Sequence, residues 1–336
     1  MTSPTLRTRL TWWIGGAAGL VGLVAVLATR PAGPVVAGIV ASVVVVTLVG
    51  HRAVGRALRP LHDLTAAARR LSTDTLDERI DYHGPRDELR ALADTLDTML
   101  GRIAESVASQ RRFVSNASHE LRTPLAVMRT EIDVTLSDPD ATVAELRAMG
   151  TVVRDACDRA NDLIESLLWL ARAEAADRQG IPDAEETDLA VVVDEVIDTA
   201  QRIADQLDLA LAVSSSPAPV YGDPSLLGRV AGNLIENAIR HNDPQGRVWV
   251  LTGCDAGRSW LVIGNTGSDV DPDEVPRLFE PFNRGGEARV GRRGAGLGMS
   301  IVRAVCRAHG GDVRAESMPD GGGLEVRVEL PACSAR

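Results

Sequence analysis

Residues 118–125 read SHELRTPL, a string in which a histidine, a glutamate and a proline follow closely on one another. An imidazole with one protonated nitrogen is a competent nucleophile at neutral pH if a base holds or accepts that proton. Glu120 is adjacent to His119 in sequence, and Thr123 lies one helical turn further on. Pro124 lacks a backbone donor, which frees the carbonyl of Glu120 and allows a bend just past the histidine. The string therefore predicts a reactive histidine on a bent helix.

The helix that carries this string is predicted from about Arg102 to Ser137, and a second helix begins after a turn at 138–140. If its buried seam is formed by Val114, Ala117, Leu121 and Met128, His119 lies beside that seam and points toward solvent. The second helix has apolar residues alternating three and four apart, at Leu146, Met149, Val153, Ala156, Ala160, Leu163, Leu167 and Leu170. Two antiparallel helices with one apolar seam each cannot enclose a core, so the pattern predicts a homodimer that forms a four-helix bundle.

The octapeptide resembles the H-box of sensor histidine kinases, in which the matching histidine takes the γ-phosphate of ATP. The resemblance implies that His119 is the phosphoacceptor and that Glu120 is its general base. It also implies that Thr123 positions a water for dephosphorylating a cognate response regulator. The alternative is a surface histidine without a role, which is what a lone histidine on a helix usually is.

Two uncharged apolar runs, at 10–28 and 31–50, stand at the start of the chain, and each is long enough to cross a hydrocarbon core of roughly 30 Å. A signal peptide is the alternative, but the second run follows the first at once. Arginines flank the pair on both sides, which predicts a two-span hairpin in the inner (cytoplasmic) membrane with both chain ends in the cytoplasm. The connector Thr29–Pro34 is too short to fold. We expect a signal to enter through the bilayer, through a membrane-protein partner, or through the segment that follows.

That following segment, 51–104, contains two helical patterns with a Gly84-Pro85 break between them. Its seam residues are spaced three and four apart: Leu61, Leu64, Ala68 and Leu71, then Leu89, Leu92, Leu96, Met99 and Ile103. Two amphipathic helices on a globular core would give a similar pattern. Together with the basic stretch after the membrane, the segment resembles a HAMP linker.

The charge distribution limits the partners of the chain. The formal net charge is -10, and the first 80 residues are basic, so the acidic excess lies in the remainder. Such a surface cannot neutralise a phosphate backbone, and we expect no direct binding to nucleic acid. The four cysteines lack the spacing of a metal site or a disulfide framework, which favours a reducing cytoplasm.

A linker is predicted at 176–187 from its small, acidic residues with glycine and proline, and a new domain at 188–331, followed by a tail at 332–336. Helical patterns at Val191–Leu207, Leu227–His241 and Met299–His309 are mixed with strand patterns. A strand-like stretch is predicted at Ala210–Val213, and alternating strands are predicted at Arg247–Thr252, Trp260–Gly264, Val313–Ser317 and Leu324–Glu329. This mixture predicts an α+β domain with helices on one face of the sheet. The helices before it, 105–175, form the predicted dimerisation and phosphotransfer unit.

The helix Leu227–His241 places Asn233, Asn237 and Arg240 on one face. Two carboxamides in line with an arginine suit a hydrated Mg²⁺ that bridges phosphates, although these residues taken alone favour simple hydrogen bonding on a helix surface. Repeated glycines at Gly294, Gly296 and Gly298 can let backbone amides approach phosphates, although such a run is more often a flexible loop.

In the order asparagine helix, NTG, FEPF and GAGLG, these segments resemble the N, G1, F and G2 boxes of the GHKL (Bergerat-type) ATP-binding sandwich. The resemblance implies that Asn237 is the Mg²⁺ ligand and that Asn233 and Arg240 lie close to the phosphates. It implies further nucleotide contacts from Asn265, Gly267, Gly294, Gly296, Leu297 and Gly298, and a lid at 283–293. The G1 box usually begins with aspartate, which accepts hydrogen bonds from the adenine amino group. Asn265 replaces it without charge, so Asn265→Asp is expected to preserve or tighten ATP binding.

The sequence thus predicts a membrane-anchored, homodimeric sensor histidine kinase. It would autophosphorylate on His119 from Mg-ATP, transfer the phosphoryl group to an aspartate of a response regulator, and dephosphorylate that regulator. The alternatives are a nucleotide-binding membrane scaffold with little kinase activity, and a member that acts mainly as a phosphatase.

Overall fold

The computed structural model describes residues 38, 40–52, 88–283, 295–318 and 322–333. The chain divides into two units, 1–110 and 111–336. In the first unit, residues 40–52 are helical. None of the helices in the described ranges combines the length and the apolar character that crossing a membrane requires. The predicted span 10–28, the start of the predicted span 31–50 and most of the HAMP-like segment lie outside the described residues.

Two long helices carry the predicted bundle: α1 at Glu88–Ser137 and α2 at Val143–Gln179. The first helix starts well before the expected Arg102 and is uninterrupted, with Pro124 inside it. The second begins with a capping box, in which the Thr142 hydroxyl accepts a hydrogen bond from the backbone N–H of Glu145 and the Glu145 carboxylate accepts one from the backbone N–H of Thr142. This pair satisfies two backbone donors at the helix start and fixes where the hairpin turns.

The predicted heptad seam of α2 is confirmed at the positions that a single chain buries. Ala156, Leu163 and Leu170, each seven residues apart, are almost fully buried. Leu146 and Val114, which the pattern also placed on a seam, are exposed in the single chain. A lone hairpin covers only part of its apolar surface, so seam positions at its open side remain accessible.

The C-terminal part of the second unit has the predicted α+β fold. In chain order its elements are β1 Glu185–Asp188, α3 Leu189–Gln206, β2 Ala210–Ser214, β3 Pro219–Gly222, α4 Pro224–Arg240, β4 Arg247–Asp255, β5 Arg258–Asn265, a 3₁₀ turn at Val275–Phe279, α5 Gly298–Ala308, β6 Asp312–Ser317 and β7 Leu324–Pro331. Five strands form one sheet in the order β2-β4-β5-β7-β6, with β2 parallel to β4 and the other pairs antiparallel. Strand residues alternate between a buried and a more accessible face, and α3, α4 and α5 cover the buried one.

The small sheet formed by β1 and β3 was not predicted, because each strand has only four residues and no alternating pattern. It shortens the expected linker at 176–187, since α2 continues to Gln179 and β1 begins at Glu185. Within the expected tail, Ala332 forms a β-bridge with Val220.

Candidate functional site

The reactive string lies in the middle of α1. His119 is exposed, Glu120 is half-buried and Pro124 is buried. The Thr123 hydroxyl donates a hydrogen bond to the backbone carbonyl of His119 at 3.2 Å. Because that bond uses only the hydroxyl hydrogen, the lone pairs of the Thr123 oxygen can still accept a hydrogen bond from water. The arrangement leaves the imidazole accessible to a second group, with a carboxylate next to it in sequence and a hydroxyl one turn away.

The two long helices meet near this string. The Met128 and Cys157 sulfur atoms lie 3.4 Å apart, and Ala156 beside them is fully buried. Large apolar side chains nevertheless remain exposed along both helices: Val114, Leu125, Val134, Leu136, Ile164 and Leu168. Exposed apolar surface of this extent on a helical hairpin marks a surface that another element covers.

In the α+β domain, α4 carries the predicted asparagines. Asp223 caps its N-terminus by accepting from the backbone N–H groups of Ser225 and Leu226, and Pro224 occupies the first turn. The Asn233 side chain is buried, and its Nδ2 lies 3.5 Å from the carbonyl oxygen of Gly298. The helix α4 and the start of α5, which are separated by about 60 residues in sequence, therefore meet at this point.

Arg240, at the end of α4, forms an ion pair with Glu236 one turn earlier. Both side chains are partly exposed, so the pair contributes little to stability. The family resemblance implied that Arg240 lies near phosphates, and the pairing with Glu236 was not predicted. An arginine paired with a carboxylate on its own helix can exchange that partner for a phosphate.

Two of the predicted glycines, Gly296 and Gly267, stand where a side chain would not fit, whereas a Cβ at Gly298 would meet only the Asn233 side chain at 3.7 Å. Gly296 has a φ of 70°, and a Cβ there would lie 2.8 Å from the carbonyl oxygen of Asn283. A Cβ at Gly267 would collide with the carbonyl oxygen of His241. Leu297 is almost fully buried, so only its backbone can contact a ligand. Gly294, like most of the expected lid at 283–293, lies outside the described residues.

Asn265 is at the end of β5 and only 4% exposed. Its Nδ2 donates to the backbone carbonyl oxygens of Thr266, at 2.7 Å, and of His241, at 3.3 Å. This contact joins the end of β5 to the end of α4. Neither backbone acceptor could be predicted from the identity of residue 265.

Phe282 links the α+β domain to α1. Its ring lies 5.5 Å, centroid to centroid, from the ring of Phe113, at an interplanar angle of 52°. Its φ is 64°, an unusual conformation for a bulky residue, and its backbone N–H donates to the Gly296 carbonyl at 2.9 Å. The FEPF motif marked Phe282, but no local pattern in the sequence pointed to Phe113.

His309 connects the end of α5 to the start of α4. Its Nε2 accepts from the backbone N–H of Asp223 at 3.2 Å, and its Nδ1 donates to the carbonyl of Val305 at 2.8 Å. Burial lowers the pKa of His309, although the Val305 hydrogen bond and the nearby Asp223 charge act in the opposite direction. The neutral ring is the form that fits, since Nε2 must accept while Nδ1 donates.

The donor set fits a magnesium nucleotide. Asn233 and Asn237 supply amide oxygens on one side of α4, and Mg²⁺ prefers oxygen ligands while keeping several waters. Opposite Asn233, α5 begins at Gly298 without a hydrogen bond from a capping side chain. Backbone N–H groups and the positive end of the helix dipole are therefore available to a phosphate there.

Three family descriptions match the chain. "HAMP domain" matches residues 52–105, "His Kinase A (phospho-acceptor) domain" matches 109–176, and "Histidine kinase-, DNA gyrase B-, and HSP90-like ATPase" matches 222–334. Sensor protein CutS of Streptomyces coelicolor is 44% identical over 284 residues, which are 84% of this chain and 67% of CutS. The signal transduction histidine-protein kinase/phosphatase MprB of Mycolicibacterium vanbaalenii is 36% identical over 302 residues, covering 86% of this chain and 60% of MprB.

Solved structures show the same fold. Histidine kinase ThkA, in a complex with response regulator protein TrrA, has a TM-score of 0.51 and 16% identity over 68% of this chain and 64% of its own. A helical phosphoacceptor hairpin followed by an ATP-binding α+β domain defines a class of phosphotransfer enzymes. Within that class, the chain belongs to the sensor histidine kinases of two-component systems and is a protein-histidine kinase. The family that was predicted from the SHELRTPL string and from the N, G1, F and G2 boxes is confirmed.

Proposed function

We propose that the protein autophosphorylates on His119 from Mg-ATP and passes the phosphoryl group to an aspartate of a response regulator. The observation that carries this proposal is the exposed imidazole of His119, beside Glu120, on a helix of the same unit that contains the ATP-binding domain. An accessible acceptor and a bound donor in one unit are the two requirements of the reaction.

In the proposed reaction, a nitrogen of His119 attacks the γ-phosphorus while the bond from that phosphorus to the β,γ-bridging oxygen breaks, and ADP leaves. Glu120 accepts or holds the proton on the other ring nitrogen, so that the imidazole remains a nucleophile. Asn237 would hold Mg²⁺, which neutralises phosphate charge when bound, with Asn233 and Arg240 close to the phosphates. The backbone of Gly296–Gly298 would contact the triphosphate at the start of α5.

Thr123 supports a second step at the same site. Its hydroxyl is anchored to the His119 carbonyl and can still orient a water. We infer that this water hydrolyses the aspartyl phosphate of the regulator, which makes the protein a phosphatase as well as a kinase. The relative MprB carries both activities in its name.

The exposed apolar side chains of α1 and α2 support a homodimer built through the helical bundle. The apolar runs at 10–28 and 31–50, together with the HAMP match at 52–105, support anchoring in the cytoplasmic membrane with both ends inside. Under this arrangement a signal reaches α1 from the membrane or from a membrane-protein partner.

The test is incubation of the detergent-solubilised full chain with γ-labelled ATP and Mg²⁺. Wild-type protein should acquire label that survives alkali and is lost in acid, and His119→Ala should acquire none while still binding nucleotide. Glu120→Gln should slow labelling by about 10²- to 10⁴-fold, the usual contribution of a positioned base. Alkali-stable label on His119→Ala would overturn the assignment.

A further inference from the structure

The side-chain amide of Asn242, just beyond the end of α4, uses its whole hydrogen-bonding capacity within the protein. The residue is only 9% exposed. Its Nδ2 donates to the backbone carbonyl of Ala238 at 3.3 Å and to that of Arg247 at 3.0 Å. Its Oδ1 accepts from the backbone N–H of Asp243 at 3.0 Å and from the Thr266 hydroxyl at 2.8 Å. An asparagine amide has two donor hydrogens and two acceptor lone pairs, so none remains for a ligand.

These bonds join three segments that are distant in sequence. Ala238 lies in the last turn of α4, Arg247 is the first residue of β4, and Thr266 opens the loop 266–268, here called the β5 loop. The Thr266 hydroxyl also accepts from the backbone N–H of Arg247 at 2.8 Å. A Cβ at Gly246 would collide with Oδ1 of Asn242, so glycine there leaves the space that the amide needs. The amide therefore ties the β5 loop to the end of α4.

The β5 loop is held from its other side as well, because β5 lies between β4 and β7 in the sheet. The backbone N–H of Gly323, just before β7, donates to the Ser268 carbonyl at 3.2 Å. Gly322 packs so closely that a Cβ there would collide with the carbonyl oxygen of Gly267. The loop thus lies between a glycine turn on the β7 side and the Asn242 amide on the β4 side.

We propose that Asn242 is a positioning residue of the nucleotide site, which acts through Thr266 to hold the β5 loop in place against α4. This inference rests on the proposed Mg-ATP function. Under that function one nucleotide contacts Asn237 on α4 and Gly267 in the β5 loop, so it binds best when both are already in place. A loop that the nucleotide has to order reduces the affinity by the free energy of ordering. The Asn242 amide orders the loop beforehand.

Loss of the Thr266 hydroxyl should therefore weaken nucleotide binding without slowing phosphoryl transfer from bound nucleotide. The β5 loop belongs to the ATP-binding domain, whereas His119 and Glu120 lie on α1. An interaction that stabilises the ground state and the transition state equally changes KM and leaves kcat unaltered. A split between these two constants distinguishes a positioned binding loop from a catalytic group.

The test compares two threonine-to-valine variants of the detergent-solubilised full chain. Thr266→Val removes the hydroxyl that donates to Asn242 and keeps the shape of the side chain. Thr252→Val is the matched control, because Thr252 is 2% exposed and its hydroxyl also makes two hydrogen bonds, both with the backbone of Ser216. Thr252 lies on β4 about 17 Å from Arg247, at roughly 3.4 Å per residue. Both variants should therefore lose comparable stability in urea unfolding.

Calorimetric titration with Mg-ATP should separate the two variants. Thr266→Val should bind ATP about tenfold more weakly than wild type, and Thr252→Val should stay within about twofold. In the labelling assay, the KM of Thr266→Val for ATP should rise by about the same factor, and its rate at saturating ATP should stay within about twofold of wild type. Thr266→Ser keeps the hydroxyl and should bind ATP within about twofold of wild type.

A double variant tests whether Asn242 acts through Thr266. Asn242→Ala should weaken ATP binding at least as much as Thr266→Val, and adding Thr266→Val to it should cause little further loss, because the bond between the two side chains is already absent. If Asn242→Ala does not fold, the comparison of the two valine variants still decides the question.

The proposal is overturned if Thr266→Val and Thr252→Val change ATP affinity equally, or if the losses of Asn242→Ala and Thr266→Val add in the double variant. Either result, together with labelling of His119 in wild-type protein, would leave the proposed kinase reaction standing. Failure of wild-type protein to bind ATP would instead refute the proposed function, and the positioning role with it.

Discussion

His309 should make the stability of the ATP-binding domain depend on pH in a window where few other groups titrate. The ring is 8% exposed, accepts from the Asp223 N–H and donates to the Val305 carbonyl. Its pKa is lowered in the folded protein, so the folded state binds fewer protons than the unfolded state near and below pH 6.5. The stability from the neutral ring is thus fully present above about pH 6.5 and is lost as pH falls toward the folded pKa.

The slope of this loss cannot exceed about 1.4 kcal/mol per pH unit for one proton. Replacement by His309→Gln removes the titration and disturbs two hydrogen bonds of about 1 kcal/mol each. We therefore expect the variant to be less stable than wild type by about 1 to 3 kcal/mol at pH 7.5. This difference in the free energy of unfolding between wild type and His309→Gln should narrow by up to about 1.4 kcal/mol between pH 6.5 and pH 5.5.

Urea unfolding of the full chain, followed by tryptophan fluorescence at a series of pH values, measures this gap. His119→Ala is the control, because His119 is exposed. At each pH its unfolding midpoint should equal that of wild type. A difference between wild type and His309→Gln that stays constant from pH 7.5 to pH 5.5 would refute the reasoning.

Three further predictions concern the two sites. Asn237→Ala should reduce Mg-ATP affinity by at least about tenfold and leave metal-free nucleotide binding little changed. Calorimetric titration with and without Mg²⁺ measures both affinities. Equal losses of affinity in the two conditions would contradict a role for Asn237 in metal binding. Thr123→Ala should keep autophosphorylation but lengthen the lifetime of the phosphorylated regulator in a reconstituted mixture, and an unchanged lifetime would remove Thr123 from the phosphatase step. Phe113→Ala should raise the rate of backbone amide hydrogen exchange around Phe282 by about 2- to 10-fold, because the ring pair is lost. Phe113→Tyr keeps an aromatic ring and should leave that rate unchanged. Equal exchange rates in the two variants would show that the ring pair does not stabilise the segment around Phe282.

The sequence was sufficient for the features that repeat or follow a local rule. The heptad spacing of α2 located Ala156, Leu163 and Leu170 on the buried seam. Alternation located β4, β5, β6 and β7 of the main sheet, and β2 was predicted as a strand-like stretch. Helix ends were predicted to within three residues for α3, α4 and α5, since each has an apolar period that stops at a polar or glycine residue.

Contacts between distant parts of the chain were not predictable in this way. The ring pair of Phe113 and Phe282 joins residues on separate elements, and no periodic pattern connects them. The backbone acceptors around Asn265 depend on where the end of α4 comes to rest, which only the assembled fold determines. The sequence therefore gave no sign of the two carbonyl acceptors of the Asn265 amide, because backbone carbonyls leave no trace in residue identity.

The central claim is the identity of the phosphorylated atom, and the most direct measurement is the location of the phosphoryl group on the intact protein. After reaction with Mg-ATP, the chain should be digested at alkaline pH and the peptide that contains 118–125 fragmented by a method that preserves phosphoramidates. The account predicts a phosphoryl group on His119, and none on the neighbouring hydroxyls of Ser118 and Thr123. A phosphoryl group found on either hydroxyl, or an unmodified peptide in protein that carries label elsewhere, would contradict it.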